Sequence, residues 1–161
     1  SVLYEREFMN LQVIIENKYK NSIKSKNLDE INTLRLIKNA IKNKEIENRT
    51  SKLDEKIDDQ QILTLLQILI KQRKDSIESF KIASRKDLIA KEQIEIDLIS
   101  QFLPKQLNEE ETKIIVKKII DEKNLSSLKD MSILMNNLKA NHSGSIDIGM
   151  AGRIAKTLLN N

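Results

Sequence analysis

The chain has 161 residues, which is enough for one or two small domains with a real hydrophobic core. It contains no cysteine and a single histidine, which excludes disulfides, thiolate nucleophiles and Cys- or His-rich metal sites. Its 28 basic residues nearly balance its 24 acidic ones, so the net charge of +4 permits nucleic-acid binding without arguing for it. The composition predicts neither a cofactor nor a metal.

Chain breakers are rare, with three glycines and one proline, and this indicates helices joined by short loops. The longest strongly apolar run, residues 62–70, is interrupted by Thr64 and Gln67, so we expect no transmembrane helix and no membrane partner. The first residue is Ser1 rather than Met, which leaves room for a targeting segment ahead of it. Both the cytoplasm and an organelle such as the mitochondrion or plastid therefore stay open as compartments.

Four helices are predicted before the only proline. The first covers residues 2–25, and the second follows a cap within residues 27–29 and precedes a polar connection at residues 49–58. The third covers residues 59–82 and is apolar nearly all round in its first half, as a buried helix is. Ser84 and Asp87 form a helix-start signal for the fourth, over residues 85–103. Pro104 then disfavours helical geometry at Leu103, and it marks the predicted domain boundary.

Three shorter helices are predicted after Pro104. Asn108 and the acidic residues 109–111 suit the start of the fifth. Ser126 or Ser127 can cap the sixth, and the seventh covers residues 147–159. The predicted fold is all-α: a four-helix N-terminal domain with a long helical hairpin, residues 1–103, followed by a three-helix bundle, residues 104–161.

An arginine interrupts the apolar face of the third helix. Arg73 lies three residues after Ile70 and four before Ile77, where a leucine would be expected. If the third and fourth helices turn back on each other near Ser84, Arg73 comes into register with Glu92 and Glu95. We therefore predict a buried or half-buried structural ion pair between Arg73 and one of these glutamates. A role for Arg73 in catalysis or nucleic-acid contact is the alternative.

Basic residues are concentrated between Lys18 and Lys56, where 11 basic residues face 6 acidic ones. Within this segment Arg35, Lys38 and Lys42 form one stripe of the second helix, which can track phosphates or can be an ordinary solvated face. A second, sparser group lies in the last two predicted helices. Its members are Lys129, Lys139, Arg153 and Lys156.

Signals for catalysis are weak. The glycines in "GSIDIGMAG" fit neither a phosphate-binding loop nor a dinucleotide-binding turn. The neighbouring carboxylates Asp58 and Asp59, and those of residues 109–111, are typical of helix starts or solvated faces. His142 lies in a predicted loop, and no catalytic residue is assigned.

From about Leu34 to its end the chain resembles the YqeY-like family, also called GatB/YqeY. The resemblance is carried by "LRLIKNAIKNKEIE", "KQRKDSIESFKIASRKDLIAKEQIEIDLISQFLPKQLNEEE", "SLKDMSILMNNLK" and "SGSIDIGMAGRIAKTLL". The chain departs from the family at Ser132, where glycine usually follows Asp-Met. The resemblance implies an all-helical protein with an N-terminal helical domain and a C-terminal three-helix domain.

Similar domains form the tail of the B subunit of glutamine-dependent tRNA amidotransferase, where the tail contacts tRNA and other parts do the chemistry. The resemblance thus implies a non-catalytic module that binds tRNA or a tRNA-linked complex. The family's label of carbon-nitrogen ligase with glutamine as amido-N-donor is inherited from that enzyme. The alternatives are a protein-interaction adaptor, docking on the amidotransferase or another translation-linked protein, and, last, an amide-transferring enzyme in its own right.

Overall fold

The computed structural model describes residues 10–53 and 56–160, and over these residues it is all-helical and contains no strand. The elements are α1 Leu11–Ser25, α2 Leu28–Thr50, α3 Asp59–Ile82, α4 Lys86–Ser100, α5 Glu109–Glu122, a 3₁₀ turn Leu128–Asp130, α6 Met131–His142 and α7 Ile148–Leu159. The all-α prediction is confirmed. The predicted start of the first helix lies outside the described residues.

The chain divides into two compact units, Ser1–Leu103 and Pro104–Asn161. That either unit is an independent folding domain stays a prediction. In the first unit, α3 supplies the centre of the core with Ile62 and Leu66, which are fully buried. The other helices each bury apolar side chains in the same cluster, among them Leu11 and Ile15 of α1, Leu34 and Ile37 of α2, and Ile99 of α4.

Helix starts are fixed by side chains that accept hydrogen bonds from free backbone N–H groups. Asn27 caps α2 by accepting from the N–H of Glu30 at 3.2 Å. Asn108 and Glu111 form a reciprocal capping box at α5, with distances of 2.8 and 3.2 Å. Asp58 caps α3 in the same way. These carboxylates and amides therefore cap the N-termini of the helices, as the sequence indicated.

The turn between α3 and α4 differs from the prediction. Ser84 adopts the left-handed conformation with φ of 55°, and the N–H of Arg85 reaches back to the carbonyl of Phe80 at 2.9 Å. Ser84 thus ends α3, and the prediction that it caps α4 is wrong. Asp87 instead accepts from the Arg85 guanidinium at 3.2 and 3.1 Å, which lowers the pKa of that carboxyl.

Arg73 lies on the seam between α3 and α4 and is only 9% exposed. Its Nε is 2.8 Å from Oε2 of Glu95, and its Nη1 donates to the carbonyl of Leu69 at 2.9 Å. Glu92, the other carboxylate that the register offered, is half-buried and makes no ion pair with Arg73. The charge of the arginine is therefore satisfied inside the protein by one carboxylate and one carbonyl.

The second unit packs α5, α6 and α7 around a smaller core. Its fully buried side chains include Val116 of α5, Leu134 and Leu138 of α6, and Ala151 and Ala155 of α7. The small alanines allow α7 to approach its neighbours closely. Between α6 and α7 the chain turns at Gly144, whose φ of 85° favours glycine.

Asp130 ties the loop before α6 together. Its carboxylate accepts from the backbone N–H groups of Ser126 at 2.7 Å and Ser127 at 3.2 Å, and these bonds lower the pKa of Asp130. Ser127, one of the two predicted caps, accepts from the N–H of Lys129 at the 3₁₀ turn that precedes α6. The ionised form of Asp130 is therefore the form that holds this loop.

We expect Arg73→Ala to lower the free energy of unfolding by about 3 kcal/mol, because it leaves the carboxylate of Glu95 unpaired on an apolar seam. Urea unfolding measures the effect. Replacing both partners, Arg73→Met with Glu95→Leu, should recover most of the loss, since no lone charge remains. Arg85→Ala removes an exposed arginine–aspartate pair and serves as the control, with an unchanged midpoint. An unchanged midpoint for Arg73→Ala would contradict the structural role of the pair.

The lowered pKa of Asp130 predicts loss of stability in acid. A carboxyl whose folded pKa is depressed stabilises the fold above its unfolded pKa of about 3.9, and this contribution is lost as the pH falls through the folded value. Asp130→Asn should therefore unfold at a lower temperature near pH 7 and show a weaker acid dependence. Thermal melts followed by circular dichroism measure both, with exposed Asp121→Asn as the control. Parallel melting curves for wild type and Asp130→Asn at every pH would refute the assignment.

Candidate nucleic-acid interface

The predicted basic stripe of α2 does not consist of three free cations. Arg35 and Lys42 are exposed, but Lys38 is half-buried and its Nζ lies 2.9 Å from Oε2 of Glu16 on α1. The charge in the middle of the stripe is therefore compensated. Only the two ends of the stripe, about 10 Å apart at 1.5 Å per residue, present positive charge without a carboxylate in contact among the described residues.

Tyr19 of α1 organises the same part of the surface. The ammonium of Lys38 lies 4.1 Å from the centre of the Tyr19 ring, as in a cation–π contact. Arg35 Nη2 donates to the Tyr19 hydroxyl at 3.5 Å. Because Lys38 covers one side of the ring, Tyr19 works as a support for the two cations rather than as a free stacking platform.

Sequence reasoning missed Glu16 and Tyr19 because both lie on α1, some twenty residues away from the stripe. The signal available in the sequence was the cap Asn27, which marks the turn between the helices. An antiparallel pair that turns there brings residue 16 opposite residue 38. The acidic partner of the stripe could have been found from that register.

A cleft of about 460 Å³ opens between α1 and α2 beside the stripe. Its lining residues are Gln12, Ile15, Glu16, Lys38, Asn39, Ile41, Lys42 and Glu45. Gln12 Nε2 donates to Oε1 of Glu45 across the cleft at 3.0 Å. The cleft therefore carries two carboxylates, two ammonium groups and two amides, and it is not a uniformly positive groove.

The second predicted basic group lies in the C-terminal unit. Lys129 is on the 3₁₀ turn, Lys139 is near the end of α6, and Arg153 and Lys156 are on α7. All four side chains are exposed. Arg153 and Lys156 lie one turn apart on the same face of α7, which they share with the exposed Gly149. The structure thus brings two of the four onto one continuous surface.

Acidic residues are absent from α7 between Ile148 and Leu159. Asp147, at its N-terminus, uses its carboxylate to accept from the N–H of Met150 at 3.0 Å. The exposed face of α7 therefore differs from the α2 stripe, because no carboxylate on the helix itself competes for its two cations.

In the described part of the chain, every helix is too short or too polar to cross a lipid bilayer. Within the same residues, no three carboxylate or imidazole side chains come together in a way that could hold a metal ion. His142 is the half-buried last residue of α6 rather than part of a loop.

A sequence profile of the family described as Yqey-like protein matches residues 12–159. An uncharacterized protein of Schizosaccharomyces pombe is 38% identical over 97 residues, which is 59% of this chain and 73% of the relative. The altered inheritance of mitochondria protein 41, mitochondrial, is similar as well. It is 41% identical over 70 residues in Saccharomyces cerevisiae and 42% over 71 residues in Lachancea thermotolerans.

The two mitochondrial relatives are longer than the region they share with this chain. Each alignment covers 44% of this chain and 36% of the relative. The fission yeast protein, in contrast, is matched over most of its length. Because the family profile spans residues 12–159, nearly the whole chain, this protein belongs to the Yqey-like protein family.

Proposed function

We propose that this chain is a non-catalytic helical module that binds tRNA or a tRNA-bearing complex. The observation that carries the proposal is the exposed face of α7, to which the helix itself contributes two cations, Arg153 and Lys156, and no carboxylate. Arginine and lysine on one helix face contact successive phosphates, and neutralised phosphates release counterions.

The family resemblance supports the choice of RNA. In the amidotransferase B subunit a similar tail contacts tRNA, whereas amide transfer takes place in parts that this chain does not resemble. We propose the same division of labour here, with the amidotransferase or another translation-linked protein as the partner that carries the chemistry. Amidation of misacylated tRNA by the isolated chain would contradict the non-catalytic part of the proposal.

The names of the yeast relatives bear on the compartment. The altered inheritance of mitochondria protein 41 is described as mitochondrial in both organisms. Of the compartments that the sequence left open, we propose an organelle, and the mitochondrion first. Fractionation of cells that express the full-length tagged protein measures this directly.

We expect wild-type protein to bind tRNA with micromolar or tighter affinity at low salt, with affinity falling steeply between about 50 and 200 mM salt. The double charge reversal Arg153→Glu with Lys156→Glu should lower the affinity by about tenfold or more and flatten the salt dependence. Filter binding or fluorescence anisotropy with labelled tRNA measures both.

The matched control reverses two exposed lysines, Lys117 within α5 and Lys123 directly after it, and changes the net charge by the same amount. Equal losses in the two variants would mean that net charge alone governs binding, and the α7 face would be refuted. If wild type shows no binding of labelled tRNA at low salt, the proposal of RNA binding itself is contradicted. A defined protein partner that binds nuclease-treated chain through α7 would then favour the adaptor alternative.

Glu16→Gln tests whether the α2 stripe takes part. The substitution removes the carboxylate that compensates Lys38 while keeping a side chain of the same size. If phosphates lie along α2, the affinity for tRNA should rise and the slope of log K against log salt should steepen by about 0.7 to 0.9. Glu47→Gln on α2, where Glu47 pairs with Lys44, is the control. An unchanged slope for Glu16→Gln would confine the RNA contact to other surfaces.

A further inference from the structure

The α1–α2 cleft holds an ammonium and a carboxylate that do not pair with each other. Lys42 and Glu45 are three residues apart on α2 and both line the cleft. Glu45 is held instead by Gln12, whose amide donates to its Oε1 at 3.0 Å. Lys42 is exposed and has no carboxylate within ion-pair distance among the described residues. A donor and an acceptor group are thus presented side by side to whatever enters the cleft.

The signs of the charges decide which part of an RNA fits here. Glu16 and Glu45 offset the charges of Lys38 and Lys42 in the cleft lining, so the cleft offers a chain of phosphates no net attraction. Carboxylates do accept hydrogen bonds from the N–H groups of bases, and such charge-assisted bonds are the stronger kind. An unpaired base, rather than the backbone, is therefore the part of an RNA that the cleft can take.

Among the common bases, guanine has the matching edge. Its Watson–Crick edge presents an acceptor, O6, followed by two adjacent donors, N1–H and the N2 amino group. Lysine contacts to guanine O6 are frequent, and a carboxylate can accept from both donors. Residues three apart on a helix are separated by about 4.5 Å along its axis, comparable to the width of a base edge. Adenine, cytosine and uracil do not present an acceptor next to two donors.

We infer that the α1–α2 cleft binds an unpaired guanine nucleotide, with Glu45 accepting from N1–H and N2–H and Lys42 donating to O6. Gln12 positions Glu45 through the hydrogen bond across the cleft. Asn39, exposed on the same rim, is left for the ribose or phosphate. This inference rests on the proposed RNA binding and adds a base-reading site to the phosphate contacts of α7.

The test uses the four ribonucleoside monophosphates as probes of the ¹⁵N-labelled protein. GMP should shift the backbone amide signals around Lys42 and Glu45, and AMP, CMP and UMP should leave them unchanged. Glu45→Gln should weaken GMP binding by about tenfold, since an amide offers one acceptor where the carboxylate offers two. The amide oxygen of the introduced glutamine can still accept the hydrogen bond from Gln12, so we expect the substitution to leave the fold unchanged. Glu47→Gln, a carboxylate on the same helix outside the cleft, should bind GMP as wild type does.

Binding of tRNA separates this inference from the proposed function. Glu45→Gln should weaken tRNA binding without changing the salt slope, because a base contact releases no counterion. Equal shifts with all four nucleotides, or no shifts at all, would each overturn the guanine site. If wild type nevertheless binds tRNA through α7, the proposed function stands without it. If GMP binds the cleft and tRNA does not bind at all, the proposed function fails and the nucleotide site remains.

Discussion

The guanidinium of Arg73 sets the register between α3 and α4, on which the rest of the N-terminal unit depends. Its Nε bonds to Glu95 of α4 and its Nη1 to the carbonyl of Leu69 on its own helix, so it fits only one alignment of the two helices. A leucine at that position would pack in several alignments. We expect the pair to contribute specificity more than net stability, since the cost of burying two charges offsets much of their attraction. With this register fixed, Ile62 and Leu66 of α3 lie in one apolar core with residues of α1 and α2. The α1–α2 pair therefore packs on α3.

Cross-helix pairing also decides which basic residues are available to a partner. The chain is nearly balanced in charge, so there are acidic residues to compensate most of its basic ones. On α2 this happens at Lys38, which Glu16 of α1 holds at 2.9 Å. On α7 the helix itself contributes no carboxylate to compete with Arg153 and Lys156. A surface for phosphates in such a protein is therefore defined by where acidic residues are missing, rather than by where basic ones are numerous.

The sequence predicts most of the helices, whose bounds depend on apolar periodicity and capping residues nearby in the chain. The third helix, expected over residues 59–82, is observed as Asp59–Ile82, because it has an apolar helical period and the capping Asp58 directly precedes it. The prediction that Ser84 caps α4 was wrong because a Ser-x-x-Asp pattern is compatible both with a helix cap and with the left-handed end of the preceding helix. In the structure Ser84 is left-handed and Asp87 contacts Arg85 instead. The pairing of Lys38 in the α2 stripe with Glu16 was missed for a different reason, because Glu16 is distant in sequence and becomes adjacent only when the helix pair is aligned.

A surface that carries only positive charge and a cleft that carries both signs suit different contacts with an RNA. A face with two cations and no carboxylate on its helix, such as that of α7, attracts any phosphate backbone and cannot tell one sequence from another. A cleft that sets Lys42 beside Glu45 attracts no backbone, but its alternation of donor and acceptor matches some base edges and rejects others. Under the proposed function, base contacts and phosphate contacts would then come from different units of the chain. Loss of the carboxylate in the cleft would remove a base contact and leave the salt dependence unchanged, whereas loss of the arginine on α7 would remove a phosphate contact and flatten it.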